Sequence, residues 1–247
     1  MRVENQMTIA EGIRALLQFT TILPVGKPAD FEAFAKRSYL YPLAGYLIGA
    51  IAALPLILIQ SPMAAAAVSL GLILLVSGCN HFDGLLDLGD GLMAHGSRET
   101  RIRALTDRRV GAGGVALGLL ITLISFGSLT SLAIIPFAIV VAEVSAKVSM
   151  ATLTAAGRPF RDGIHSFLFW QGRPWFVAAA WLLTLPLFLL PIPWIVIVSG
   201  LFGSSVATLV LLFGADRLFG GINGDVVGAA NEIIRAVCLL VMVCACA

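Results

Sequence analysis

The sequence predicts an all-α fold: a polytopic membrane helix bundle of about seven transmembrane helices with an N-terminal interfacial helix. Three observations carry this. Of 247 residues, 59% are apolar and only 12% are charged, about half the roughly 25% charge of soluble domains. Mean hydropathy is +0.96 over the whole chain, more apolar surface than a soluble fold of this size can hide. The apolar residues also come in runs near the roughly 20 residues a helix needs to cross hydrocarbon. A formal net charge of +2, with basic residues confined to short loops, excludes a strongly basic nucleic-acid binder.

In chain order, residues 8–23 come first. Ile9, Ile13, Leu16, Leu17 and Thr20 share one face there, with Glu11, Arg14 and Gln18 elsewhere, the pattern of an amphipathic helix lying in the interface or of a short re-entrant segment. Met1 to Gln18 mixes Glu4 and Glu11 with basic residues and has no long apolar core, so no cleavable leader is expected. Seven candidate spans follow, at 40–60, 63–80, 112–127, 132–156, 175–190, 194–214 and 226–245. Tight turns at Gln60-Ser61-Pro62, Ser128-Leu129-Thr130-Ser131 and Pro191-Ile192-Pro193 join pairs of them as helical hairpins. Lys and Arg are absent from these three turns and occupy the alternate loops. The positive-inside rule therefore expects a multi-pass protein of the cytoplasmic (inner) membrane with those loops cytoplasmic and the C-terminus external. No internal repeat or linker divides the chain, so 1–247 reads as a single integral membrane domain. Cys79, Cys238, Cys244 and Cys246 fall in apolar stretches without metal-ligand spacing and read as small buried hydrophobes.

The informative segment is 81–111, on the cytoplasmic side. At 100° per residue, Asp83, Asp87 and Asp90 fall within an arc of about 60° on a helix, with Asn80 on the same stripe. Like charges about 6 Å apart at an effective dielectric near 20 repel by about 3 kcal/mol per pair, so a cation is expected between them. Carboxylate oxygens suit Mg²⁺, Mn²⁺ or Ca²⁺ rather than zinc, and Mg²⁺ in turn suggests a phosphate-bearing substrate. A solvated helix end is the structural alternative, but leucines cover the other faces. After a break at His95-Gly96-Ser97, Arg103 and Asp107 lie at i and i+4. Asp107 is placed to complete the metal site or to act as a catalytic base, and Arg103 and Arg109 to bind phosphates. Positive-inside topology alone also accounts for arginines here.

These residues resemble two related families. Asp87-x-x-Asp90-Gly91-x-x-Ala94 is similar to the opening of the signature of CDP-alcohol phosphatidyltransferases, but His95 replaces its Arg and the later aspartate pair is missing. The longer string His81-Phe-Asp83-Gly84-Leu85-x-Asp87-x-x-Asp90-Gly91, then Asp107-x-Arg109-Val-Gly111-Ala112, resembles the cobalamin synthase (adenosylcobinamide-GDP ribazoletransferase) family more closely. So do Phe19-Thr-Thr-Ile-Leu-Pro24, Tyr41-Pro42-Leu-Ala-Gly45 and the 220–232 block with Gly220-Gly221-Ile-Asn223-Gly224-Asp225 and Asn231-Glu232. Arg108, Asn223 and Lys147 depart from that family's usual Ser, Thr and Arg.

The resemblance implies a transferase that joins adenosylcobinamide-GDP to α-ribazole or its 5′-phosphate, releases GMP and uses Mg²⁺. By analogy, Asp83, Asp87 and Asp90 hold metal over the diphosphate, and Asp107 ligates metal or accepts the proton of the attacking hydroxyl. Asn80, His81, Arg103, Arg109, Asn223, Asp225 and Asn231 become substrate-binding positions. The bilayer, a second copy of the chain and other late corrinoid-pathway enzymes are the expected partners. For 220–231, an anion-binding nest competes with a plain tight turn. Glu143 with Lys147, and Glu232 with Arg235, read as two self-satisfied pairs or as the border of a substrate cavity. A phospholipid-making phosphatidyltransferase is the alternative enzyme, and an ion-coupled transporter the alternative from another class. The acids sit at one end of a span and no halves repeat, which disfavours transport.

Overall fold

The structure is a computed structural model that describes residues 8–132 and 135–246. Residues 1–7, which carry part of the no-leader reading, residues 133–134 within the fourth expected span, and residue 247 lie outside the described residues. Among the described residues there are twelve α-helices: α1 (Ile9–Thr20), α2 (Phe31–Ala35), α3 (Tyr41–Leu58), α4 (Pro62–Val76), α5 (Asn80–Met93), α6 (Arg98–Leu105), α7 (Ala112–Ser131), α8 (Ala138–Ala156), α9 (Ile164–Gln171), α10 (Trp175–Leu182), α11 (Trp194–Phe219) and α12 (Gly224–Cys246). Among the described residues there is no strand, only an isolated parallel bridge between Pro159 and Ile222.

Five segments are each long and apolar enough to cross a membrane: Ser38–Leu58, Ala112–Ser131, Ala138–Ala156, Trp194–Phe219 and Gly224–Cys246. Two further spans exist only if α4 with α5, and α9 with α10 and the 3₁₀ turn Leu185–Leu189, each count as one span bent by 94°. The expected second span is therefore not a straight helix over 63–80. α4 has 15 residues, a length of about 22 Å against a hydrocarbon core of about 30 Å. The chain breaks where Gly78 (φ 62°) and Cys79 (φ 58°) are both left-handed. The expected fifth span shortens for a similar reason, because Pro174 and Pro186 punctuate it and only Trp175–Leu182 is α-helical.

The turn expected at Ser128–Ser131 is instead the last turn of α7. Thr130 Oγ1 donates to Phe126 O (2.8 Å) and Ser131 Oγ to Gly127 O (3.0 Å). Hydroxyls satisfied by their own helix do not end it. α1 starts at a capping box, with Glu11 N donating to Thr8 Oγ1 (3.2 Å) and Thr8 N to Glu11 Oε2 (2.7 Å). Its buried residues are Gly12, Ala15, Leu16 and Thr20, while Ile9 is exposed, so its packed face is rotated from the expected one by the short helix α2 lying against it.

α8 forms the centre of the bundle. Its residues are buried almost throughout, and α3, α11 and α12 pack around it. Gly45 and Gly49 of α3 permit this, since a Cβ at either would lie 2.8 Å from α8 backbone atoms. The lipid-facing surface is carried by α7 and α11, whose Leu119, Leu123, Phe202, Val210 and Phe213 are exposed. Of the four cysteines only Cys238 is buried. Cys79, Cys244 and Cys246 are exposed, because one sits at the α4–α5 break and two at the end of α12.

Candidate active site

α5 runs beside the first turns of both α12 and α7. Gly84 makes the α12 contact possible, as a Cβ there would stand 2.6 Å from Asp225 O. The α7 contact is fixed by Asp90, which accepts hydrogen bonds from Gly111 N (2.7 Å) and Gly114 N (2.8 Å). A carboxylate over unpaired amides at a helix N-terminus is stabilised by both the hydrogen bonds and the helix dipole. The far end of α5 is held by Arg101, whose Nη1 donates to Leu92 O (2.8 Å).

With α5 so held, Asp87 lies within electrostatic reach of Asp225, Asp83, Asp90 and Arg161. Asp225 comes from the opposite side, where Asn223 Nδ2 donates to its Oδ2 (2.6 Å) and Arg161 Nη2 stands 3.5 Å from the same oxygen. Arg161 was missed in the sequence because its partner is 64 residues away. Ile222 N donates to Arg158 O (2.8 Å) and Phe160 N to Ile222 O (3.3 Å), and this pairing of two loops is what delivers the guanidinium.

The expected metal residues are therefore divided among three places. Asp83 and Asp87, with Asp225, face one acidic region, whereas Asp90 is committed to the α7 cap. Asp107 is elsewhere. α6 ends at Leu105 and Thr106 Oγ1 bonds Ile102 O (2.9 Å), so the i, i+4 pairing of Arg103 with Asp107 does not form on a helix. Asp107 Oδ1 instead accepts from Arg109 N (3.1 Å), with the Arg109 guanidinium 3.4 Å from Oδ2. The backbone N–H of Arg109, then its guanidinium, hold the Asp107 carboxyl below the usual carboxylate range. A carboxylate held so low is a poor proton acceptor near neutral pH. Its pKa is lowered in the fold, so its charge is kept as pH falls until below that range. Consequently the activity ratio of wild type to Asp107→Asn is expected to be constant between pH 5 and 8. A ratio that changes tenfold across neutrality in a pH–rate profile would instead make Asp107 the titrating base.

Among the described residues, no group of three or more His, Cys, Asp or Glu side chains is arranged to hold a metal ion by itself. The donor chemistry still fits a hard cation: Asp83 and Asp87 offer only oxygen, on one face, beside open space. Mg²⁺ is usually bound by one or two carboxylates with the remaining positions filled by water and substrate phosphate, so an incomplete set of protein ligands is the form expected of a phosphate-processing site.

Two cavities adjoin Asp225, and Asp83 and Asp87 line neither. The larger, about 370 Å³, is lined by Gln18, Tyr41, Asn80, His81, Thr154, His165 and Asp225 together with apolar side chains. The smaller, about 140 Å³, is lined by Arg161, Asn223 and Asp225, and shares Ile164, His165, Gly224 and Asp225 with the first. Asn80, His81, Asn223 and Asp225 thus converge. Arg103 and Arg109 line neither cavity and are exposed on and beyond α6. Asn231 is buried beneath, accepting from Lys147 Nζ (2.7 Å) and donating to Glu232 Oε1 (3.0 Å). Of the deep charges, Glu232 pairs with Arg235 as expected, but Glu143 does not pair with Lys147. Arg235 bridges Glu143 of α8 and Glu232 of its own helix, and Lys147 turns to Asn231. One planar guanidinium can serve two carboxylates, which leaves Lys147 free to satisfy the amide.

Gly84→Val tests the geometry. The added branch forces α5 away from Asp225, so transfer activity is expected to fall tenfold or more with the protein still monodisperse in detergent. Unchanged activity would show that the α5–α12 contact does not build the site.

No solved structure gives a significant match to this chain. Comparison of the sequence with known proteins does. Residues 12–243 match the family described as cobalamin-5-phosphate synthase. A protein of Methanocella arvoryzae named adenosylcobinamide-GDP ribazoletransferase is 36% identical over 257 residues, covering 95% of this chain and 96% of its own. Proteins of the same name from Deinococcus radiodurans (39% identical, 88% of this chain, 80% of that one) and Pyrococcus abyssi (34%, 93% and 97%) are similar along nearly the same length. An all-helical membrane bundle with converging aspartates, matched over almost its whole length, belongs to the cobalamin-5-phosphate synthase family.

Proposed function

We propose that this protein is a membrane transferase that joins adenosylcobinamide-GDP to α-ribazole, or to its 5′-phosphate, with release of GMP. The observation that carries the reading beyond family membership is the meeting of Asp83 and Asp87 with Asp225 and Arg161, with Asp225 also lining a cavity of about 370 Å³. In the reaction a ribazole hydroxyl oxygen bonds to the phosphorus on the cobinamide side of the diphosphate. The bond from that phosphorus to the bridging oxygen breaks, GMP leaves with the electron pair, and the hydroxyl proton passes to a carboxylate.

Asp225 stands between α5 and both cavities, the position from which a carboxylate accepts that proton. Arg161 presents a planar donor to phosphate oxygens at the same place. Asp83 and Asp87 would hold Mg²⁺, which when bound supplies charge neutralisation to the diphosphate. Asp90 keeps those two carboxylates aimed by anchoring α5 to α7. Catalysis by such a site is positioning and electrostatics.

The arginines in the loops at this end support a reading in which it lies on the cytoplasmic side of the inner membrane, with the end of α12 outside. In detergent, Mg²⁺ is expected to support GMP release, EDTA to abolish it and added Mn²⁺ to restore it. Full activity in EDTA would remove the metal from this account. Turnover of CDP-diacylglycerol in place of adenosylcobinamide-GDP would put the phosphatidyltransferase reading in its place.

A further inference from the structure

The larger cavity is more specific than a generic pocket. Its walls include Phe19 from α1, Met150 from α8 and Leu168 from α9, together with His81 and His165. Both imidazoles are at least nine-tenths buried, at 5% and 3% exposure, and Nδ1 of each has no hydrogen-bond partner within the protein. A buried polar atom without a partner is costly, commonly about 1–3 kcal/mol, and two of them lining one cavity mark groups kept for a ligand. His165 Nε2 is 2.9 Å from Gly157 O. A carbonyl oxygen only accepts, so Nε2 carries the proton and Nδ1 is left as an acceptor. His165 and Asp225 both line the two cavities, where the free acceptor matches a sugar hydroxyl. The backbone of His81 packs against Gly228 of α12, and its Nδ1, when it carries the proton, matches an acceptor ring nitrogen of a base.

Volume narrows the ligand further. About 370 Å³ falls in the range of roughly 300–1,000 Å³ that takes a small organic ligand, and is too small for a corrinoid macrocycle. Mostly apolar walls, interrupted by Gln18, Tyr41, Asn80 and Thr154 and by the two unpartnered nitrogens, suit a flat bicyclic base with a largely apolar edge and a few polar points.

We infer that this cavity seats the nucleoside acceptor base-inward: the benzimidazole lies among Phe19, Met150 and His81, and the ribose lies at the mouth between His165 and Asp225. This rests on the functional reading above and adds to it the binding place and the residues that select the acceptor. It also explains why the reaction is built into the bundle, since helices from four parts of the chain are needed to enclose the base.

Calorimetric binding of α-ribazole to the detergent-solubilised protein, without donor substrate, tests the assignment separately from turnover. Met150→Trp fills the cavity, and His165→Phe removes both ring nitrogens, including the Nε2 bond to Gly157 O. Each is expected to weaken α-ribazole binding about tenfold, and in the coupled assay to raise the KM for α-ribazole while leaving that for adenosylcobinamide-GDP unchanged. If Met150→Trp does not purify as a monodisperse protein, Met150→Phe and His165→Phe give the reading. Unaltered α-ribazole affinity in the folded variants, or displacement of α-ribazole by guanosine, overturns the inference. Binding with these sensitivities but no transfer would fault the functional reading and leave the cavity assignment standing.

Discussion

Asp87→Asn is expected to lower GMP release by a thousandfold or more while leaving the protein folded. Asp87 is the carboxylate at the middle of the cluster, in electrostatic reach of Asp83, Asp90, Asp225 and Arg161, and one of the two that face the open side of α5. Asn keeps the shape and one acceptor oxygen but removes the charge that would hold a cation over a diphosphate. Loss of a group that stabilises charge in the transition state commonly costs about 10²–10³ in rate, and removal of a metal ligand adds the loss of the ion. Asp90→Asn is expected to act differently. It weakens the bonds to Gly111 and Gly114, so it lowers thermal stability as well as rate. If Asp87→Asn retained a tenth of the wild-type rate, the acidic region would not be the reaction centre.

The second large effect is on stability. Arg235 is 3% exposed, with Glu143 and Glu232 beside it at 0% and 3%, in the middle of the contact between α8 and α12. Removing one partner of a buried ion cluster leaves uncompensated charge and is destabilising by about 3–5 kcal/mol. Arg235→Met is therefore expected to lower the Tm in detergent by on the order of 10 °C. Arg235→Met combined with Glu143→Met recovers part of that loss, because fewer stranded charges remain. A single variant as stable as wild type in a thermal melt would mean that the cluster contributes nothing to holding the two helices together.

Hydropathy and charge patterning located most of the membrane helices, because the bilayer imposes length and apolarity on each span separately. Those are local properties. The two bent pairs were not legible, since the bend after α4 depends on left-handed Gly78 and Cys79, and Cys79 carries no turn signal of its own. The site followed the same division. Asp83, Asp87 and Asp90 share a helix face by arithmetic alone, so their alignment could be read from spacing. That Asp90 caps α7, that Asp225 faces Asp87, and that Arg161 arrives from a third loop all depend on helix packing between residues distant in the chain. The re-pairing of Glu143 with Arg235 rather than Lys147 is another case, because the i, i+4 rule describes one helix and the stronger partner is on another. Asp107 shows the reverse failure, where correct spacing on paper lies past the actual end of α6.

The most direct test of the central claim is the stoichiometry of the reaction itself. Purified wild-type protein in detergent is supplied with Mg²⁺ and adenosylcobinamide-GDP, with and without α-ribazole, and GMP and the corrinoid product are quantified together. The account predicts one GMP per corrinoid product, and no GMP unless α-ribazole is present. GMP released at the same rate without the acceptor would make the protein a hydrolase of the diphosphate and contradict the account.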